Sequence, residues 1–362
     1  MPLNSPLPVR RGVNATRLHL PETGPWPTVH DYLLERFGHI DPASITTRFH
    51  DGEVVDSAGI PLSTSTPLGA AEFIWYYRSL PEETLLPVTE EVLFQDDHLV
   101  VADKPHFLPT TPAGRYVQES LLVRLRNRLH LPDLTPIHRL DRGTAGLVLF
   151  AKNPETRGKY QLLFERRQVD KTYEAISAVT GDRQLTAARF PVTVRNRIAK
   201  TKGVLTSQLM PYAAEDSRWE PRPLGPVQTP ERWYGPGRGA SHDHLARVRR
   251  RKKTGTGPNA SSRIELLELG LSRAGRSVVH LRLTPHTGKT HQLRIHLAML
   301  GLGILHDRFY PELLEDAPDD FNAPLQLLAR RISFIDPLSG AARSFTSTRR
   351  LVEAPVSTGQ EA

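Results

Sequence analysis

Apolar and polar positions alternate along this chain in patterns that mark out its elements. Val29, Leu33, Leu34 and Phe37 fall at helical spacing behind Thr28, an N-cap residue type, and predict a helix over 28–37. Strand-like pieces follow at Thr46 to His50, Glu53 to Val55 and Phe73 to Tyr77, with Asp51-Gly52 as a hairpin signal between the first two. Val92 to Phe94 and Leu99 to Val101 read as two strands turned by Asp96-Asp97, and Lys104-Pro105 closes the second. Leu147 to Ala151 is wholly apolar and predicts a strand buried on both faces. Ser120 to Leu129 and Gly158 to Arg167 read as helices, and Val169 to Ile176 as a strand. Arg263 to Leu269 and Ser277 to Leu283 read as strands joined by a turn at Ser272 to Gly275. A helix over Thr290 to Leu300 ends at Gly301 and Gly303.

Other stretches lack periodicity. Met1 to Pro27, rich in proline and polar residues, reads as a flexible arm, and 81–87 as a linker. Residues 28–80 then form a small appendage, 81–350 a large domain, and 351–362 a tail. Arg197 to Gly257 is dense in Pro, Gly, Arg and Ser and reads as a partly disordered insertion. It holds Trp219, Trp233, Tyr234 and the basic run Arg247 to Lys253. Two readings stand side by side: an idle solvated loop, or an arm that folds on RNA.

Composition narrows the classes. The chain has 362 residues, 38% of them hydrophobic, enough for a sizeable core. Lys and Arg number 47 against 39 Asp and Glu, a formal charge of +8 that suits a polyanion. There is no cysteine, which excludes disulfides, thiolate catalysis and thiolate metal sites. No signal-peptide core or membrane-length apolar run occurs, so a soluble cytoplasmic protein, monomeric by default, is expected.

A polar loop carrying His138, Arg139, Asp141 and Arg142 leads into the apolar run at 147. Charges at the mouth of a buried strand are costly unless they pair or act, which singles out Asp141. Other chemistries fail on spacing. His291 and His296 are five apart and do not share a helix face, so no metal is expected. No Gly-x-Ser-x-Gly elbow, Walker loop or dinucleotide fingerprint occurs, and a kinase reading of His138 to Asp141 lacks its partner motifs. One aspartate in an arginine-rich frame remains. A single carboxylate can act as nucleophile or base without a cofactor, provided a cation keeps it ionised. Arg294, on a separate helix, is a candidate for that cation.

Three blocks then resemble the RluA-type pseudouridine synthases: residues 138–152, His-Arg-Leu-Asp-Arg-Gly-Thr-Ala-Gly-Leu-Val-Leu-Phe-Ala-Lys; 170–175, Asp-Lys-Thr-Tyr-Glu-Ala; and 288–296, Gly-Lys-Thr-His-Gln-Leu-Arg-Ile-His, continuing to Asp307-Arg308-Phe309-Tyr310. Phe94 to Asp97 and Asp103-Lys104-Pro105 add to the likeness. The resemblance implies an α+β fold with a mixed, mostly antiparallel central sheet flanked by helices. It implies isomerisation of uridine to pseudouridine in rRNA or tRNA, with no cofactor and no metal. By position, Asp141 matches the catalytic aspartate, Tyr173 the tyrosine that stacks on the flipped base, and Arg294 the arginine that pairs with the aspartate. Arg139 matches the residue that fills the space left by the extruded base. His138, Lys171, His291 and Gln292, in the same blocks, are expected to bind substrate. A flipped base costs a few kcal/mol to unstack, and an aromatic platform recovers about 1–3 of these.

The chain departs from the family at Ala145, Lys289, His306 and Leu328, and residues 28–80 match the family's small N-terminal RNA-binding module only in position and size. A different class stays open: an RNA-binding or RNA-folding protein that keeps the fold with little turnover. The presence of Asp141, Tyr173 and Arg294 together favours the enzyme.

Overall fold

Ala145–Ala151 forms a strand with all seven residues buried, as the apolar run at 147–151 predicts. It lies inside a sheet that is the frame of the site. The computed structural model describes residues 5–38, 41–77, 83–179, 187–201, 204, 206–210, 257–314 and 318–356. Residues 247–253 lie outside these. The chain divides into two units, Met1–Leu86 with Thr111–Leu134, and Pro87–Thr110 with Thr135–Ala362.

The first unit contains β1 (Thr16–His19) antiparallel to β2 (Phe73–Tyr76), with α1 (Val29–Phe37) and α2 (Pro42–His50). Thr28 caps α1 in a reciprocal box with Asp31, as its residue type predicts. Two expectations fail here. Thr46 to His50 is helix, not strand. Asp41 accepts from the Ser44 N–H at 3.0 Å, Pro42 suits the first turn, and Ile45 and Phe49 meet the core four residues apart. Asp51-Gly52 therefore ends a helix. The expected loose arm also carries β1, whose Leu18 packs against the core that buries Leu20.

The first unit also takes in a later segment. Residues 111–134 belong with the first unit, so 81–350 is not one continuous body. Their helix, α3 (Leu121–Leu129), buries Leu121, Leu122, Val123 and Leu125, as the pattern over 120–129 requires.

The second unit is built on one sheet. Its strands are β3 (Glu91–Gln95), β4 (Leu99–Lys104), β5 (Thr135–Pro136), β6 (Ala145–Ala151), β7 (Val169–Ala178), β8 (Val192–Asn196), β11 (Ala260–Leu271), β12 (Ser277–Pro285), β13 (Leu327–Ile335) and β14 (Ala342–Thr346). Among the described residues the order is β3-β4-β6-β13-β7-β12-β11-β8, with β14 on β13 and β5 on β6. Among the described residues only the β13–β6 pairing is parallel, so the sheet is mixed and mostly antiparallel. A separate short pair, β9 (Ile198–Ala199) and β10 (Gln208–Leu209), stands at the base of the expected insertion. Among the described residues two helices cover the sheet. α4 (Pro154–Glu165) packs Tyr160 and Leu163 onto Leu147 and Leu149, and α5 (Gln292–Met299) packs Leu293 and Leu297 onto Leu281 and Leu283. His296 is fully buried, and its Nε2 meets the Asn196 Oδ1 at 3.1 Å, so it is a core histidine. Among the described residues no helix is long and apolar enough to cross a membrane, and no cluster of metal-ligand residues occurs.

Gly146 sets how closely β6 and β13 approach. Its φ is +110°, and a Cβ there would stand 2.3 Å from the Ala329 carbonyl oxygen and 2.7 Å from its nitrogen. Both neighbours are backbone of the paired strand, so neither can turn aside. Gly146→Ala is expected to destabilise the protein by about 3 kcal/mol or more, read as a lower urea midpoint. A midpoint matching the unaltered chain would contradict this close approach.

Candidate active site

The loop with Asp141 closes a hairpin. β5 runs back along β6, Ile137 N–H donates to the Leu149 carbonyl at 2.9 Å, and the charged residues fill the turn between them. The loop is pinned from segment 104–110. The ammonium of Lys104 donates to the carbonyls of Pro105 at 3.0 Å, Leu108 at 2.8 Å and Arg142 at 3.2 Å. His106 Nδ1 lies 2.7 Å from the Gly143 carbonyl, and the Thr110 hydroxyl donates to the Leu140 carbonyl at 2.9 Å. Burial pulls the Lys104 pKa well down, while the Asp141 charge works in the opposite direction.

Asp141 and Arg294 meet across the fold. Arg294 Nη1 lies 3.6 Å from Asp141 Oδ2. The guanidinium is itself 94% shielded but the carboxylate keeps 32% of its side-chain surface open, so it can be reached from solvent. Arg294 is oriented by a second carboxylate. Its Nε donates to Asp307 Oδ2 at 2.7 Å and its Nη2 to Asp307 Oδ1, a bidentate fork with Asp307 almost wholly buried. Asp307 in turn accepts from the Phe309 and Tyr310 N–H groups at 2.8 and 3.2 Å. Rings of Phe309 and Tyr310 lie 4.7 and 5.4 Å from the guanidinium carbon. Burial works against the Arg294 charge, yet Asp307 and then Asp141 outweigh it and raise its pKa.

Tyr173 lies on β7, opposite Leu283 and Ala329, and packs against the core. Burial, with the Asp141 charge second, pushes its phenol above the ordinary value. It is therefore a neutral O–H group at physiological pH, suited to stacking and to holding a proton rather than taking one.

The structure separates the remaining expected residues into two kinds. Arg139 is exposed and, among the described residues, makes no hydrogen bond or ion pair, so it is free to meet a ligand. His291, at φ 58°, precedes α5, with Nε2 3.8 Å from Asp141 Oδ2 and Nδ1 3.0 Å from the Tyr310 hydroxyl. Burial lowers its pKa to about 4, so it faces Asp141 uncharged at neutral pH. Lys171 is half-buried, and its ammonium lies 6.0 Å from the Phe164 ring centre.

Gln292 and His138 make contacts inside the protein. Gln292 is 3% exposed. Its Oε1 accepts from Thr287 and Lys289, and its Nε2 donates to Ser261 and Ser262, which uses its full hydrogen-bonding capacity. It clamps the start of α5 to β11 and has no group left for substrate. His138 stacks on Phe164 at 4.7 Å and accepts the Leu149 N–H at 3.1 Å, so it holds the hairpin.

Sequence reasoning gave no role to Lys104, His106, Thr110, Asp307 or Tyr310. Lys104 could have been found, because it too is a charge at the end of a buried apolar run. Asp307 carries no such signal, since only the fold brings it to Arg294. His306, a position where the chain departs from the resembling family, has a left-handed φ of 61° and places Nδ1 3.1 Å from the Pro324 carbonyl. Lys200, from the stem after β9, adds positive charge near His291 and is itself influenced by Asp141.

The sequence model of RNA pseudouridylate synthases matches residues 98–299, more than half of the 362. The chain belongs to the RNA pseudouridylate synthase family. It is 28% identical over 264 residues to the dual-specificity RNA pseudouridine synthase RluA of Vibrio vulnificus, covering 72% of this chain and 84% of that protein. It is 28% identical over 232 residues to the tRNA pseudouridine(31) synthase of Saccharomyces cerevisiae, covering 63% and 48%. A human structure, RNA pseudouridylate synthase domain containing 1, aligns over 74% of this chain and 86% of that chain, with TM-score 0.49 and 21% identity. The enzyme is an RNA pseudouridine synthase, an isomerase that converts uridine to pseudouridine. The matched span holds Asp141, Tyr173 and Arg294.

Two outcomes follow from this geometry. In the synthase, Arg294→Lys keeps a charge but cannot fork onto Asp307 while facing Asp141, so kcat should fall about 10²-fold. An unchanged kcat in a single-turnover assay would mean that orientation of the guanidinium is unimportant. The second outcome concerns pH. His106 and His291 are lowered to about 4 and His138 and His296 to about 3, all mainly by burial. The folded state thus binds fewer protons than the unfolded chain below about pH 6.5. Stability from these rings is complete above that pH and is lost as pH falls towards 4. Calorimetry should give a lower Tm at pH 5 than at pH 7, and equal values would count against four neutral interior rings.

Proposed function

We propose that the enzyme isomerises uridine in rRNA or tRNA with Asp141 as the residue that attacks the target nucleoside. The observation that carries this reading is the Asp141–Arg294 contact, in which an accessible carboxylate faces a guanidinium already fixed by Asp307. The guanidinium lies 3.6 Å from the carboxylate that acts on the sugar or base.

The reaction needs no redox partner. Asp141 bonds C1′ as the N1–C1′ bond of uridine breaks, the uracil ring turns, and the Asp141–C1′ bond breaks as the C5–C1′ bond forms. C5 loses a proton and N1 gains one, so atoms and electrons balance within the nucleoside. Tyr173 supplies the platform for the everted ring, and its neutral phenol can hold a proton near it. Arg139, exposed on the same loop as Asp141, fills the space that the base leaves in the RNA. His291, uncharged beside Asp141, leaves the arginine as the dominant positive partner of the carboxylate. Lys171 adds a cation on the strand of Tyr173 for the RNA backbone. The cysteine-free composition agrees with a cytoplasmic setting.

Asp141→Asn tests the assignment. It keeps side-chain shape and removes the charge, so pseudouridine formed in extracted RNA should fall about 10³-fold or more. Because a third of the side chain is open to solvent, folding stability should change by less than about 1 kcal/mol. Equal pseudouridine yield from both proteins would remove Asp141 from the chemistry.

A further inference from the structure

The first unit contains a cavity of about 620 Å³ that no step of the isomerisation uses. Its size lies within the roughly 300–1,000 Å³ of small-ligand sites. Three arginines line it, Arg10, Arg11 and Arg126, against a single carboxylate, Glu53. Tyr77 and Gln118 are also on its wall. Its net charge is therefore positive, and it combines guanidinium groups, an aromatic ring and an amide.

The wall is constructed around a tight turn. Arg10 and Val13 exchange backbone hydrogen bonds of 2.9 and 3.0 Å, and between them Arg11 (φ 49°) and Gly12 (φ 76°) are both left-handed. A non-glycine residue in that region costs about 1 kcal/mol or more, so Arg11 is held there against its own preference. α3 does the holding. Asn127 Nδ2 donates to the Arg11 carbonyl at 3.1 Å, and the buried Arg126 donates to the Gly12 carbonyl at 3.0 Å and the Asn14 Oδ1 at 3.1 Å. At Gly12 a Cβ would stand 2.7 Å from Asn127 Oδ1, so the helix lies flush against the turn. With its backbone fixed, the exposed Arg11 side chain makes no hydrogen bond or ion pair among the described residues. Beside it the Arg10 guanidinium lies 4.1 Å from the centre of the Tyr77 ring and 3.0 Å from Glu53. Glu53 thereby holds Arg10 against the ring. The Tyr77 hydroxyl donates to the Pro8 carbonyl, which fixes the ring in turn.

We infer that this cavity binds one unstacked nucleotide of the RNA substrate, its phosphate at Arg11 and its base beside the Arg10–Tyr77 pair. Charge complementarity selects an anion, and the guanidinium-on-ring surface selects a flat π-system over a simple phosphate. Single-stranded segments of RNA offer both at one nucleotide. The identity of the ligand as substrate RNA rests on the synthase reading above, whereas the preference for a nucleotide rests on the cavity alone. The site would tether the RNA through a contact that carries no chemistry.

The test uses the full-length protein and a fluorescein-labelled single-stranded oligouridylate, with Kd measured by anisotropy across a salt series. Arg11→Gly is the first variant. It relieves the left-handed strain, so Tm should hold or rise, and a binding loss cannot be blamed on folding. Tyr77→Leu is the second. Each is expected to weaken binding about fivefold to tenfold, and Arg11→Gly should also reduce the salt slope by about one. In a pseudouridine assay on extracted RNA, kcat should stay within about twofold while KM rises. Unchanged Kd and salt slope in both variants, with normal pseudouridine formation, would overturn this site and leave the synthase reading intact. Weakened oligouridylate binding together with no pseudouridine formation by the unaltered protein would do the reverse.

Discussion

An arginine side chain buried to 6% exposure must be neutralised, and in this fold one guanidinium answers to two carboxylates. Asp307, almost fully buried, takes the bidentate fork and offsets the cost of removing the charge from water. Asp141 then lies 3.6 Å from the remaining amino group and keeps access to solvent. The division of labour matters chemically. If Asp141 alone compensated Arg294, its oxygens would be committed to a salt bridge. With Asp307 in that role, Asp141 feels the positive charge while its carboxylate stays available.

The same arrangement reaches outward through backbone. Asp307 orders the Phe309 and Tyr310 N–H groups, whose rings flank the guanidinium. On the other side the loop with Asp141 hangs from Lys104, His106 and Thr110: the first two bond the Arg142 and Gly143 carbonyls, and Thr110 bonds both the N–H and the carbonyl of Leu140. Lys104 is an expensive anchor, since an ammonium with no exposed surface must find three acceptors, and here all three are carbonyls. Such fixed dipoles and side chains need no reorganisation when charge develops on the substrate.

The base of the expected insertion also contributes. Ile198 and Leu209 pack with Ile295 and Tyr310, and the Ser207 N–H donates to the Tyr310 hydroxyl at 2.7 Å. That hydroxyl is the one facing His291. The stem of the segment is therefore continuous with the wall of the candidate site, although nothing in its composition distinguishes it from the residues beyond.

Local pattern was enough for most elements of the second unit, because each has a strong period or a wholly apolar run: 99–101, 147–151, 169–176, 263–269 and 277–283 are all strands. It was enough for Asp141, Tyr173 and Arg294 as candidates, since each lies in a motif of distinctive residue types. It failed over 46–50, where a β-like composition yields to a capped helix with Ile45 and Phe49 on one side, and over 16–19, where a strand exists only because β2 is there to pair with it. It also could not show that the hydrogen bonds of Gln292 are already used, because a residue type does not reveal this. The family resemblance supplied the expectation of an Arg294–Asp141 pair, but the pairings themselves are made by the fold. Arg294 meets Asp141 across 153 positions of chain, and Arg126 meets Gly12 across 114, because sheet order and helix packing bring them together. Sequence period encodes which face of an element is buried, whereas charge neutralisation depends on which elements become neighbours.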